Sequence, residues 1–368
     1  MKPFACSCGQ PLFFDNMRCV NCGREVAYDP TARTLISLEP AGDGLWMVIG
    51  DEREPRPPFR LCTNRTAAAG CNWLVPASAP GDFCLSCRLT RTIPSLDRPK
   101  NAARLWELES AKRRVLLALQ HMNLPLIPKS EDAERGLAFD FLEALPDGPP
   151  VLTGHDEGVI TLNVAEADDD YREKNRENLR EPYRTLVGHL RHELGHYYWD
   201  LLVRDTPWLP RCRELFGDDR ADYGQALKKH YAEGSPPDWR ERFISAYAAS
   251  HPWEDWAESW AHFMHMHATL VTVASYHLET SNTPLRLTPF TADVLYDADP
   301  AFLDWINSWV VLTATLNEIA RSMGQPDIYP FVLNAPAVRK IHFVNCVVND
   351  YRGERTPPVP EELAAPAA

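Results

Sequence analysis

The stretch LVGHLRHELGHYYWDLL, residues 186–202, contains His192-Glu193-Leu194-Gly195-His196, and this pattern constrains the fold more than any other part of the chain. Two imidazoles four positions apart converge on one point when the backbone is helical. That spacing places them on one face, about 6 Å apart along the axis. Leu186, Val187, Leu190, Leu194 and Leu201 supply the apolar positions of such a helix. Pro182 is placed to open it, because proline is tolerated in a first turn. His192 and His196 are therefore candidate metal ligands. Glu193 projects beside them, able to act on a metal-bound water without being a ligand. Gly195 is expected to leave space beside the metal. His189, one turn before His192, is read as lining the cleft and stays outside the metal set.

A catalytic zinc takes three protein ligands and keeps one position for water. The extended pattern with a third histidine is absent, since positions 199 and 202 are Trp199 and Leu202. The third ligand must come from farther along, and the best stretch is SAYAASHPWEDWAESWAHFMHMH, residues 245–267. Pro252 marks a helix start, after which Glu254, Glu258, His262 and His265 fall along one stripe. Trp253, Trp256, Trp260 and Phe263 surround that stripe. Glu254 and Glu258 compete. A glutamate three residues after His251 can instead cap its own helix, which would leave Glu258 as the ligand.

Cysteine usage marks a second region. Of ten cysteines, eight lie before residue 88. The start of the chain shows no charged segment leading into an apolar one, so no secretory signal is read and the cytosol is the expected compartment. A reducing compartment favours metal binding over disulfides. Cys6, Cys8, Cys19 and Cys22 form two close pairs ten residues apart, suited to one tetrahedral structural zinc in a zinc ribbon. Cys62, Cys71, Cys84 and Cys87 supply a second four-thiolate set. Cys212 and Cys346 stand apart and read as buried thiols.

Of 368 residues, 45% are apolar, and no apolar run reaches the roughly 18 residues of a membrane span. Residues 1–100 carry 12 Lys/Arg against 10 Asp/Glu, a net of +2, so with −13 overall residues 101–368 carry −15. An acidic catalytic half argues against nucleic acid as the substrate. The expected fold class is α+β. Two small β zinc-ribbon modules (1–95) precede a connecting helix (96–125), a zincin-like domain with a small sheet and a helical C-terminal part (126–355), and a disordered tail (356–368). In the connecting helix, Leu105, Leu108, Val115, Leu116 and Leu119 form the apolar side, and its KRR run reads as a solvated face. The segments GLAFDFLEAL, PPVLTGH and GVITLN read as the sheet, with 158–163 as an edge strand available to pair with extended substrate. The acidic run from Glu166 reads as a solvated loop or helix face. His342 is a distant histidine not assigned to the cleft.

HELGH followed by Tyr247 and then Glu254-Asp-Trp-Ala-Glu258 resembles the gluzincin metallopeptidases, most closely in the spacing of the anthrax lethal factor group. The resemblance implies that Glu254 binds zinc, Glu258 orients a ligand histidine and Tyr247 assists at the reacting carbonyl. Over most of its length the chain is similar to a bacterial family of zinc-binding metallopeptidases with an N-terminal zinc ribbon. The features that carry this are CSCGQPLFFDNMRCVNCG, CLSCRLTRTIP, EPYRTLVGHLRHELGHYYWD and HPWEDWAESWAHFMH. It implies a fold and a peptidase chemistry without a target. The functional reading is peptide-bond hydrolysis by a zinc-activated water with Glu193 as general base, with one catalytic zinc, two structural zinc ions from the eight cysteines, and a protein or peptide substrate chosen or docked by the ribbons. Tyr247 has a plainer reading as a core aromatic. The alternative function is a zinc-ribbon binding scaffold whose peptidase-like half is inactive.

Overall fold

In the computed structural model, which describes residues 2–49, 56–145, 148–179, 185–279 and 283–353, the first cysteine pair lies at the turn of a hairpin. Its strands are β1 (Phe4–Ala5) and β2 (Pro11–Leu12). The second pair leads into an antiparallel sheet of β3 (Glu25–Asp29), β4 (Thr34–Gly42), β5 (Leu45–Val48), β6 (Phe59–Leu61) and β7 (Leu74–Pro76) in sequential order. Ala27, Ile36, Leu38, Phe59 and Leu74 form the core of this sheet. Cys62 directly follows β6, Cys71 precedes β7, and Cys84 caps the short helix α1 (Leu85–Arg88) that carries Cys87. Each cysteine is thus set by the end of a strand or helix, which is why short local sequence can specify the cluster.

A second sheet has the order β10–β11–β9–β8, built from β8 (Thr90–Thr92), β9 (Ala138–Leu142), β10 (Gly154–Asp156) and β11 (Val159–Asn163). Helix α2 (Asn101–His121) connects β8 to its parallel partner β9. Two expectations are corrected here. The segment 158–163 is not an edge strand: a tight hairpin pairs β11 with β10 on one side, and β9 pairs it on the other. The KRR run is not a solvated face either, since Lys112 and Arg113 are buried. Lys112 donates to the Ser86 carbonyl and to Glu109 Oε1, both at 2.9 Å, and also to Thr90. Arg113 donates to the Ala69 carbonyl at 3.0 Å. Buried charge is tolerated only when paired and hydrogen-bonded; here Glu109 of the same helix supplies the opposite charge, and Ser86 and Ala69 of the second cysteine module supply carbonyls. Helix α2 lies within the unit Met1–Glu173, together with both cysteine modules and both sheets.

The other unit, Lys174–Ala368, contains no strand among its described residues. Helix α3 (Asp169–Leu179) lies across the division between the units. It is followed by α4 (Leu186–Leu202), α5 (Leu209–Phe216), α6 (Tyr223–Glu233), α7 (Trp239–Arg242), α8 (Pro252–Ser275), α9 (Pro300–Ser322) and α10 (Ala335–Tyr351). No described helix is long and apolar enough to cross a membrane. Helix α4 begins at Leu186, later than expected, because Thr185 accepts a hydrogen bond from the Gly188 N–H at 2.9 Å and caps it. Pro182 and the tail 356–368 lie outside the described residues. Cys212 and Cys346 are buried thiols, as expected.

Helices α4 and α8 make the central packing of this unit. Tyr198 stacks on Trp260 with ring centroids 4.8 Å apart, a pair worth about 1 kcal/mol beyond its burial. The Trp256 indole N–H donates to the Gly195 carbonyl at 2.9 Å. Gly195 does not serve to open space beside a metal. A Cβ there would lie 2.9 Å from Ala257 Cα and 3.2 Å from Trp260 Cβ, so the missing side chain lets the two helices approach. Helix propensity alone favours Gly195→Ala by about 1 kcal/mol. The clash is with backbone, which cannot turn aside, and overpacking costs about 1–3 kcal/mol. Gly195→Ala is expected to lower the denaturant midpoint and to weaken metal binding by the His192–His196 pair; an unchanged midpoint would show that the helices have room to spare.

Candidate metal centres

The eight N-terminal cysteines form two clusters, Cys6/Cys8/Cys19/Cys22 and Cys62/Cys71/Cys84/Cys87. In the first, Cys6 and Cys22 sulfurs are 3.5 Å apart and those of Cys8 and Cys19 are 3.7 Å apart. In the second, Cys62–Cys87 and Cys71–Cys84 are separated by 3.6 and 3.4 Å. A disulfide needs about 2.0 Å, whereas thiolates on one tetrahedral zinc sit about 3.8 Å apart. Both sets fit a zinc ion. The second set is wholly buried, while Cys8 and Cys22 of the first are exposed.

The third donor set joins α4 to α8. Pro252 occupies the first position of α8, as its ring requires, and His251 is the cap, accepting from the Trp253 N–H through Nδ1 at 3.1 Å. Glu254 does not cap its own helix and turns towards the imidazoles. Its Oε2 lies 2.9 Å from His192 Nε2 and 3.5 Å from His196 Nε2. One ligand atom from each of the three residues falls within 4.8 Å of the others. Glu258, one turn on, faces the far side of the same ring, with Oε1 2.7 Å from His192 Nδ1. Its Oε2 accepts a 2.6 Å hydrogen bond from Ser245, whose hydroxyl in turn accepts from the Ala248 N–H at 3.0 Å. A proton held on Nδ1 by a carboxylate leaves the Nε2 lone pair for a metal. The Trp253 ring lies against His196, centroids 4.0 Å apart.

Glu193 is buried, with Oε1 3.3 Å from His189 Nε2. Tyr247 lies in a short 3-10 turn just before α8, its ring centroid 5.8 Å from that of His192. The remaining histidines of the stripe are used elsewhere: His262 Nδ1 meets the Tyr329 hydroxyl at 2.6 Å, and His265 pairs with Arg191. His342 is buried beside Asp299 and Cys346, at 3.3 and 3.5 Å. Two contacts were not anticipated. Ser245 lies within the quoted stretch but carried no spacing signal. Tyr223, at the start of α6, donates its hydroxyl to Glu254 Oε1 at 2.6 Å, and nothing in the local sequence marks it.

The electrostatics fit a cation. Burial opposes a charged His192, yet Glu254 and Glu258 outweigh it and hold the imidazole pKa well above its ordinary value. Burial likewise opposes a charged Glu254, and His196 and His192 overcome it, keeping the carboxyl well below the usual range. Glu258 and Glu193 are also lowered against burial, by His192 and by His189 respectively. A buried site that draws positive charge onto an imidazole this strongly has excess negative charge, and two imidazoles with a carboxylate are donors that zinc takes.

Residues 101–347 match the family described as "putative zinc-binding metallo-peptidase", and residues 3–98 match a zinc-ribbon domain. The chain is 40% identical over 352 residues to uncharacterized proteins of Mycobacterium bovis and of two strains of Mycobacterium tuberculosis, covering 95% of this chain and 96% of each relative. No solved structure matches it.

Glu258→Gln keeps an acceptor for His192 Nδ1 but removes its charge. The variant is expected to bind zinc at the His192–His196 site about 10-fold more weakly in chelator competition, with the cysteine-held zinc unaffected. Equal affinity would mean that Glu258 does not tune the ligand.

Proposed function

We propose that this chain, which belongs to the zinc-binding metallo-peptidase family, is a zinc-dependent peptidase of the gluzincin type that cleaves within protein chains. His192, His196 and Glu254 would hold the zinc, which when bound supplies Lewis acidity and lowers the pKa of water. Glu193 acts as the general base. It lies next to the imidazole pair in sequence and is buried, and it is held ionised at neutral pH, so it can take the proton of the attacking water and deliver it to the leaving amine. Burial and the Glu254 charge push the Tyr247 phenol well above its ordinary pKa. It therefore stays protonated and can donate to the oxyanion formed at the scissile carbonyl. Glu258 fixes the His192 ring from behind.

The observation that carries this reading is the meeting of Glu254 with both imidazoles beside Glu193, in a chain whose residues 101–347 match a metallo-peptidase family. The ribbons are proposed to dock the protein substrate. Cysteines arranged to hold zinc, with Cys212 and Cys346 as buried thiols, support a reducing compartment such as the cytoplasm.

Glu193→Gln separates metal binding from chemistry. Zinc content per chain is expected to stay at the wild-type level, and hydrolysis of a peptide library, read by mass spectrometry, to fall about 10²–10⁴-fold. Hydrolysis equal to wild type would overturn the peptidase reading and favour a zinc-ribbon scaffold with an inactive peptidase-like half.

A further inference from the structure

We infer that Tyr223 is a positioning residue for the Glu254 carboxylate, and that helix α6 is clamped to the metal centre through it. The inference rests on the reading of His192, His196 and Glu254 as a zinc site and adds a residue that neither the sequence pattern nor the family match assigns. Glu254 has two oxygens with different work. Oε2 faces both imidazoles, at 2.9 and 3.5 Å. Oε1 accepts the Tyr223 hydroxyl at 2.6 Å, the length of a charge-assisted O–H···O⁻ bond. The terminal torsion of a glutamate is broad and holds the carboxylate plane only loosely. Engaging Oε1 fixes that plane and keeps Oε2 aimed between the two rings.

The phenol is itself held in place. Its ring meets His251 and Trp253 edge-on, with centroids 5.3 and 5.7 Å apart, so it is braced by the first turn of α8, where Glu254 resides. None of Tyr223–Glu233 is buried, and an isolated helix of eleven residues is marginal in water. Its ties to neighbouring elements include the Tyr223 contacts and the His230 ring, 6.0 Å from that of Tyr247. These converge on the same site, so the order of α6 and the order of the Glu254 carboxylate are coupled.

Tyr223→Phe tests this, because it keeps the ring packing and deletes only the hydroxyl. In the full-length protein, chelator competition with zinc is expected to show an affinity at the His192–His196–Glu254 site lowered about 10-fold or more. The cysteine-held zinc should remain. Cobalt(II) placed in the same site should show a changed visible spectrum, and amides of residues 223–233 should exchange faster than in wild type. Equal zinc affinity in Tyr223→Phe and wild type overturns the inference. Failure of the peptidase reading shows differently: Glu193→Gln would hydrolyse like wild type while Tyr223→Phe still lost zinc affinity.

Discussion

The site depends on how closely α4 and α8 can approach. Where Gly195 meets Ala257, a single added carbon would lie 2.9 Å from backbone. That contact, locked by the Trp256 indole on the Gly195 carbonyl and by the Tyr198–Trp260 stack, sets the depth at which Glu254 enters. Sequence separation between the imidazole pair and the carboxylate is large, so no local turn geometry can fix their distance. Helix packing fixes it instead, and side-chain hydrogen bonds refine it.

Those hydrogen bonds form a continuous chain. Ser245 holds Glu258, Glu258 holds His192 Nδ1, His192 Nε2 faces Glu254 Oε2, and Glu254 Oε1 receives Tyr223. Two buried carboxylates, a half-buried third and two imidazoles meet here, which would be strongly unfavourable for bare charges. The network lowers that cost by giving each carboxylate a donor or a cation to face. A divalent ion would complete the charge balance and would tie the stability of this part of the protein to its metal.

The legible parts of the sequence were those governed by short-range rules. A helix turn places His192 and His196, proline starts α8 at Pro252, and close cysteine pairs sit at the ends of short strands and helices, so these were read from local spacing. Glu254 and Glu258 were both visible as candidates. Choosing between them needed the resemblance, and in the structure Glu254 Oε2 faces both imidazoles while Glu258 meets His192 Nδ1. What was not legible depends on distant partners. Lys112 and Arg113 look like a solvent-facing run until Glu109 and the carbonyls of Ala69 and Ser86 are brought to them. The segment 159–163 has the composition of a strand, but composition does not say that both of its edges are taken. Tyr223 reaches the site from a helix whose sequence bears no relation in spacing to either ligand helix.

The central claim is that two imidazoles from one helix and a carboxylate from another grip one zinc ion. A crystal structure of the zinc-loaded protein with anomalous difference maps at the zinc edge tests it most directly. The account predicts a peak among His192, His196 and Glu254, in addition to one peak in each cysteine cluster. A map with zinc in the cysteine clusters alone, and with Glu254 and Glu258 both turned away from the imidazole pair, would contradict it.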